Sequence, residues 1–151
     1  MRLSRNLAKI AQKRESVTIQ PKEHLDGVKG TITITNYLGG NYYFTSDEVE
    51  LHDKNIYLIE GKHTKKNKLP SVEDIKDGLL KMILFTNLEQ VKIDNKKLLP
   101  IPILKLTTAD KFSLQDLNKS QKKMLKLLKE EAQLNNFKIL LNNKFITYSK
   151  K

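Results

Sequence analysis

The side chains best suited to chemistry in this chain gather in one stretch, Asn55-Ile56-Tyr57-Leu58-Ile59-Glu60-Gly61-Lys62-His63. An apolar run here ends in a carboxylate, and an ammonium follows two residues on. Such a run reads as a buried strand whose end reaches the surface. The two-residue repeat of a strand then puts Glu60 and Lys62 on one face. A metal ligand and a fixed cation would stand side by side.

Positioning that pair falls to the segment before it. Ser46-Asp47-Glu48-Val49-Glu50-Leu51-His52 alternates, and Asp53-Lys54-Asn55 is turn-forming, so the two runs make a β-hairpin. The hairpin register decides which acid joins the site. In two registers Asp47 lies opposite Glu60 or Lys62 and shares their side; in the register between these, Glu48 takes that place and Asp47 faces away. Val49 and Leu51 share the parity of Asp47, which favours the registers that leave Glu48 and Glu50 to the other face. Asp47, Glu60 and Lys62 would then converge at the open end of the hairpin.

Asp47, followed thirteen residues later by Glu60-Gly61-Lys62 at the end of Tyr57-Leu58-Ile59, resembles the core of the PD-(D/E)xK nuclease superfamily. Downstream, Lys68-Leu69-Pro70-Ser71-Val72-Glu73-Asp74-Ile75-Lys76-Asp77-Gly78 resembles a stretch found in some type II restriction endonucleases. The likeness covers roughly residues 30 to 105. In that superfamily an Asp and a Glu hold Mg²⁺, and a Lys assists the water that cleaves the DNA backbone. Matched residue by residue, the resemblance implies Asp47 and Glu60 as Mg²⁺ ligands and Lys62 as the catalytic lysine. It also implies an α/β fold, a central mixed β-sheet flanked by helices in an αβββαβ core. Ser46 stands where the family name expects proline, so the choice between Asp47 and Glu48 as first ligand stays open.

Phosphodiester hydrolysis needs a hard cation held by oxygens, to polarise a phosphoryl oxygen and help generate hydroxide. Mg²⁺ is typically bound by one or two carboxylates with water and phosphate in its other positions, and Asp47 with Glu60 meets that minimum. Lys62 would favour the deprotonated water and stabilise charge on the pentavalent phosphorus. The plainer alternative is an exposed ion pair at a strand end. Other chemistries find less support. His24, His52 and His63 lack metal-ligand spacing, and there is neither a Gly-x-Ser-x-Gly elbow nor a Walker A loop. Without cysteine, disulfides, thiolate metal sites and cysteine-protease chemistry are excluded.

The net charge of +11 and pI near 9.7 favour a polyanionic partner, nucleic acid first and an anionic membrane surface second. Lysine-rich composition alone also raises the pI. After Lys62 comes the basic loop His63-Thr64-Lys65-Lys66-Asn67-Lys68, which begins beside the proposed site. His63, Lys65, Lys66 and Lys68 are therefore candidate DNA contacts, their ammonium groups neutralising phosphates and releasing counterions. A solvated loop is the competing account. No stretch approaches the ~20 apolar residues that cross a bilayer, and Met1–Arg5 leads into no signal-peptide core. A cytoplasmic protein that does not use a membrane is expected.

The remaining chain supplies elements around this hairpin. Residues 2–14 read as a helix with an apolar stripe (Leu3, Leu7, Ile10) beside a basic one (Arg2, Arg5, Lys9, Lys13). Thr31–Thr35 alternates as a first strand, and Tyr42-Tyr43-Phe44 leads into the hairpin. Ser71 caps a helix whose stripe is Val72, Ile75, Leu79, Met82, Ile83 and Thr86, with Lys76 and Lys81 outside it and no obvious catalyst within it. Val91-Lys92-Ile93 and Leu98–Leu106 suggest a second hairpin. Pro100 and Pro102 cannot donate to a ladder, so that strand should be an edge or begin only after Pro102. Ser113 or Asn118 caps a helix to about Asn135 with Lys119, Lys122, Lys123, Lys126 and Lys129 on its polar side, and residues 137–148 close the chain as a hairpin.

A chain of 151 residues fits one domain. It is short for an enzyme that reads and cuts a site alone, so either a homodimer cutting both strands by symmetry or a catalytic fragment of a longer enzyme is expected. The reading as a whole is a Mg²⁺-dependent endonuclease on double-stranded DNA, similar to type II restriction enzymes. The alternatives are a non-catalytic basic nucleic-acid-binding module, and a structure-selective resolvase or repair nuclease of the same fold.

Overall fold

The computed structural model describes residues 28–35, 38–66, 68–93, 95–109 and 111–146. The helix expected over residues 2–14 lies outside them, as do residues 147–151. Along the chain come β1 (Val28–Thr35), β2 (Asn41–His52), β3 (Asn55–His63), α1 (Val72–Thr86), β4 (Lys92–Ile93), β5 (Lys96–Lys97) and β6 (Leu99–Thr107). A 3₁₀ turn (Leu114–Asp116), α2 (Lys119–Leu134), β7 (Lys138–Leu141) and β8 (Lys144–Ile146) follow. Six strands form one sheet in the order β1-β2-β3-β6-β7-β8, while β4 and β5 pair only with each other. The neighbours β3, β6 and β7 run parallel and the outer pairs are antiparallel, so the sheet is mixed.

The hairpin expected over residues 46–63 forms, closed by the two-residue turn Asp53-Lys54 with Asp53 at φ 54. Its register pairs Glu48 with Ile59 and Val49 with Leu58. Continued by one residue, that register brings Asp47 opposite Glu60. β2 also carries one residue more than β1 at this point. Gly30 pairs with Ser46 but Val28 pairs with Val49, so Asp47 and Glu48 together oppose Lys29 as a β-bulge.

α1 starts where the sequence marks it. Ser71 and Asp74 form a capping box, satisfying two backbone donors of the first turn reciprocally. Its buried face is Ile75, Gly78, Met82 and Phe85, with Leu79 packed beside it, so the expected stripe holds at Ile75, Leu79 and Met82 but not at its edges. Val72 and Ile83 are 51% and 56% exposed, and the core position at the end of the helix goes to Phe85, fully buried. A window of apolar residues fixes the period of a helix but leaves its rotation about the axis to whichever face meets the sheet. Ser113 and Asn118 both act as caps, the first for the 3₁₀ turn and the second for α2. One continuous core joins Ile56 and Leu58 of β3, Leu104 and Leu106 of β6, Ile139 and Leu141 of β7, and the buried sides of both helices.

β6 corrects the reading of its prolines. It begins at Leu99, contains Pro100 and Pro102, and lies between β3 and β7. The Leu99 N–H donates to the Lys54 carbonyl at 2.8 Å, so alternation turns the nitrogens of Pro100 and Pro102 away from β3. On that other side β7 joins only from Ile103 onward. The prolines thus occupy the stretch of a central strand that has one neighbour. The second hairpin shrinks accordingly to the two-residue ladder β4–β5, with β6 running free of it. Among the described residues no helix is long and apolar enough to cross a membrane.

Candidate functional site

The site lies where β2 parts from β3 and α1 packs over β3 and β6. Beyond Glu48 the β2–β3 ladder stops, and side chains take over from backbone. The Ser46 hydroxyl donates to the Ile59 carbonyl at 2.9 Å, and the Gly61 N–H donates to Asp47 Oδ2 at 2.9 Å. The second occupies a backbone donor that a continued ladder would have used. It holds the Asp47 carboxylate against the end of β3.

Glu60 is 5% exposed and Lys62 stands beside it, Nζ to Oε1 3.0 Å. The other oxygen, Glu60 Oε2, is buried without a hydrogen-bond partner among the described residues. Burial raises the Glu60 pKa above the ordinary carboxylate value, and the negative charge of Asp47 raises it further; Lys62 and Lys81 pull in the opposite direction without overcoming this. A carboxylate with a second carboxylate near it, an unpaired buried oxygen and too little positive charge is a place where a cation is favoured. Asp47 and Glu60 therefore fit a divalent ion held by two protein oxygens, with its remaining positions left to water and phosphate. Among the described residues, no group of three or more His, Asp or Glu side chains could hold a metal.

Lys62 is gripped from two sides. Its ammonium donates to Asp77 Oδ2 at 2.5 Å as well as bonding Glu60. Burial by itself would depress the Lys62 pKa, but the bonds to Asp77 and Glu60 outweigh it and the net shift is upward. Asp77 is held below its ordinary value by the bond from Lys62. Lys62 thus remains an ammonium through the neutral range, a fixed positive charge and not a proton acceptor. Helix α1 can approach closely because residue 78 is glycine: a Cβ there would meet Leu104 Cδ1 at 2.6 Å and Lys62 Cε at 3.2 Å.

Asp77 and Lys81, one helical turn apart on α1, were not among the residues singled out in the sequence, where α1 showed no evident catalyst. Lys81 donates to the Thr45 carbonyl at 2.7 Å, tying α1 to β2. The available signal was Gly78 inside a helical pattern, which marks a close approach and so draws attention to its neighbours. Glu48 also departs from expectation. It does leave the Asp47 side, but it is 1% exposed and pairs with Lys105 at 2.9 Å. Lys105 is opposite Gly61 and Glu48 is opposite Ile59, so this ion pair spans β3, where Gly61 offers no side chain to obstruct it.

The candidate DNA contacts run from His63, the last residue of β3, into the segment after it. His63 Nδ1 and Thr107 Oγ1 share a hydrogen bond of 2.9 Å, while Lys65, Lys66 and Lys68 are exposed. His63, Lys66 and Lys68 line a groove of about 320 Å³ together with Ser71, Asp74 and Gln121 at the starts of the two helices. Lys65 is not part of that lining. Comparison with family models, curated proteins and solved structures finds no match to this chain.

Proposed function

We propose that this protein is a Mg²⁺-dependent endonuclease acting on double-stranded DNA, of the type II restriction kind. The observation that carries the reading is the Glu60 carboxylate: buried, raised in pKa, facing Asp47, and with one oxygen unpaired among the described residues. A purely structural ion pair has no reason to bury an unmatched acceptor, which is unfavourable by about 1–3 kcal/mol. A cation bound between the two acids removes that penalty. The described order β1-β2-β3-α1, with β6 next along the main sheet and parallel to β3, supports the βββαβ part of the αβββαβ core that the sequence resemblance implies.

Asp47 and Glu60 would hold the metal, which when bound supplies Lewis acidity toward a phosphoryl oxygen and a more acidic water. Asp47 is oriented for this by the Gly61 N–H. Lys62, kept charged by Glu60 and Asp77, stabilises the negative charge that grows on the phosphorane oxygens, and its field favours hydroxide over water at the point of attack. His63, Lys65, Lys66 and Lys68 lie along the exit of the same strand and attract the phosphate backbone. The net charge of +11 acts over the whole molecule in the same direction.

A second reading draws on the same ion pairs. Lys62 is already neutralised by two acids, as in a structural cluster of a non-catalytic nucleic-acid-binding module. Incubation with supercoiled plasmid in Mg²⁺ or in EDTA separates the two. The wild-type chain should nick or cut in Mg²⁺ alone. Asp47→Asn, Glu60→Gln and Lys62→Met should each reduce the rate by a factor on the order of 10² or more while duplex binding persists. Binding with no cleavage by the wild type refutes the enzyme and leaves the binding module.

A further inference from the structure

Among the described residues, two ammonium groups act on the Glu60 carboxylate, and they are held in different ways. Lys62 donates to Glu60 and to Asp77, and its side chain is only 16% exposed. Lys81 stands on α1 one helical turn beyond Asp77 and is half-buried. It forms no ion pair among the described residues; its ammonium donates to the Thr45 carbonyl at 2.7 Å. An ammonium carries three N–H donors and no acceptor. Lys62 thus keeps one donor, between two carboxylates, while Lys81 keeps two and a charge that no carboxylate meets directly.

Two elements place Lys81 at the site. α1 packs over β3 and β6 on the face that carries Glu60 and Lys62, with Gly78 against Leu104 and Lys62. From α1 the Lys81 side chain reaches across to β2, where its anchor, Thr45, lies two residues before Asp47. The charge of Lys81 is felt at Glu60 and Asp77 alike. Charge balance matches this arrangement to one phosphate. With Asp47, Glu60 and Asp77 ionised against Lys62 and Lys81, the site holds one negative charge and repels a phosphodiester. A divalent cation on Asp47 and Glu60 would make that one positive charge, which a single phosphodiester neutralises.

We infer that Lys81 is the phosphate-binding lysine of the site, its ammonium donating to a non-bridging oxygen of the phosphodiester that lies against Asp47 and Glu60. The Thr45 carbonyl already fixes that ammonium, so little side-chain freedom is lost when a phosphate arrives. Lys62, occupied by two acids, is left to the attacking side of the reaction. Lys65, Lys66 and Lys68 are exposed and lie past the end of β3, where they meet other phosphates of the backbone. The inference rests on the proposed action on DNA but not on cleavage itself. Its competitor is a strap, in which Lys81 only ties α1 to β2; a strap needs a donor and has no need of a charge.

The test uses the full chain, supercoiled plasmid in Mg²⁺ for cleavage, and labelled fragments of the same plasmid in Ca²⁺ for binding across a salt series. Lys81→Gln removes the charge but keeps an N–H for the Thr45 carbonyl, and Lys81→Arg keeps both. Lys76→Gln is the control, since Lys76 lies on the same helix but is exposed and paired with Glu73. Lys81→Gln should lower the slope of log affinity against log salt by about 1 and slow cleavage by on the order of 10²-fold, with Tm close to wild type. Lys81→Arg should keep the slope and cut within about tenfold of wild type, and Lys76→Gln should match wild type in both. Where the wild type cuts, a Lys81→Gln chain that keeps either the slope or the rate overturns the inference and leaves the strap. An equal drop in Lys76→Gln overturns it too, as does a wild type that does not bind. A wild type that binds with this pattern of slopes but never cuts overturns the enzyme while sustaining the Lys81 contact.

Discussion

Replacing Gly78 by alanine is a sharp test of how the site is assembled, because two opposing effects of known size meet at one methyl group. In a helix interior alanine is favoured over glycine by about 1 kcal/mol, so the substitution would stabilise an unconstrained helix. Here the added Cβ would lie 2.6 Å from Leu104 Cδ1 and 3.2 Å from Lys62 Cε. Leu104 is fully buried and Lys62 is anchored at its tip by two carboxylates, so neither moves away freely. Overpacking of this kind costs about 1–3 kcal/mol, which outweighs the helix gain and leaves a net loss of about 1 kcal/mol. For a chain of this length that lowers Tm by about 2–4 °C. Differential scanning calorimetry on Gly78→Ala measures it directly. Pairing the substitution with Leu104→Val, which shortens the obstructing side chain, should give a loss smaller than the sum of the two single losses. Plasmid cleavage should fall as well, since the displaced α1 carries Asp77 away from Lys62. A Tm that rises in Gly78→Ala would show that the close approach is not what the glycine is for.

The raised pKa of Glu60 gives a pH dependence of defined sign. Its folded value lies above the ordinary 4.5, so the native state holds that proton more tightly than the unfolded chain, and stability falls as pH rises from 4.5 through the folded value. Glu60→Gln should remove this decline, and in wild type Mg²⁺ should oppose it; stabilisation by Mg²⁺ should in turn be lost as pH falls through the same window, and be absent in Glu60→Gln at any pH. Melting curves with and without Mg²⁺ between pH 4 and 8 check both, and an equal Mg²⁺ response in the variant refutes the ligand assignment. Lys105→Met should leave Glu48 buried and unpaired and destabilise the fold by about 3–5 kcal/mol, whereas Lys105→Met with Glu48→Gln should recover much of it. Urea denaturation midpoints decide this, and an equal loss in the single and double variants would refute the pairing argument.

Much of the local structure is legible in the residues. The 46–63 hairpin, the Ser71 cap, the closing strands and the helix starting at Asn118 follow from alternation, turn residues and caps, each set within a few positions of the chain. The approximation of Asp47 to Glu60 follows from the parity of Val49 and Leu51. Other features were not legible for reasons that are equally physical. The prolines of β6 suggested an edge because a sequence does not show where the neighbouring strand begins. The alternation places Glu48 on the face away from Asp47 but cannot show its ion pair, because the partner is 57 positions away.

The sequence by itself determined the supply of chemistry: two acids and a lysine at the end of an apolar strand, an excess of positive charge, and no thiol. Hydrogen-bonding periodicity and turn geometry are local, and they brought those residues to one hairpin. Only the tertiary structure decided that Glu60 would be buried with an unmatched oxygen, that Lys62 would be held between Glu60 and Asp77, and that Glu48 would pair with Lys105 across β3. Each of these depends on how closely α1 and β6 approach β3. That distance is set by the packing of side chains far apart in the chain, around a glycine that the helical pattern marks as a close approach without naming what it approaches.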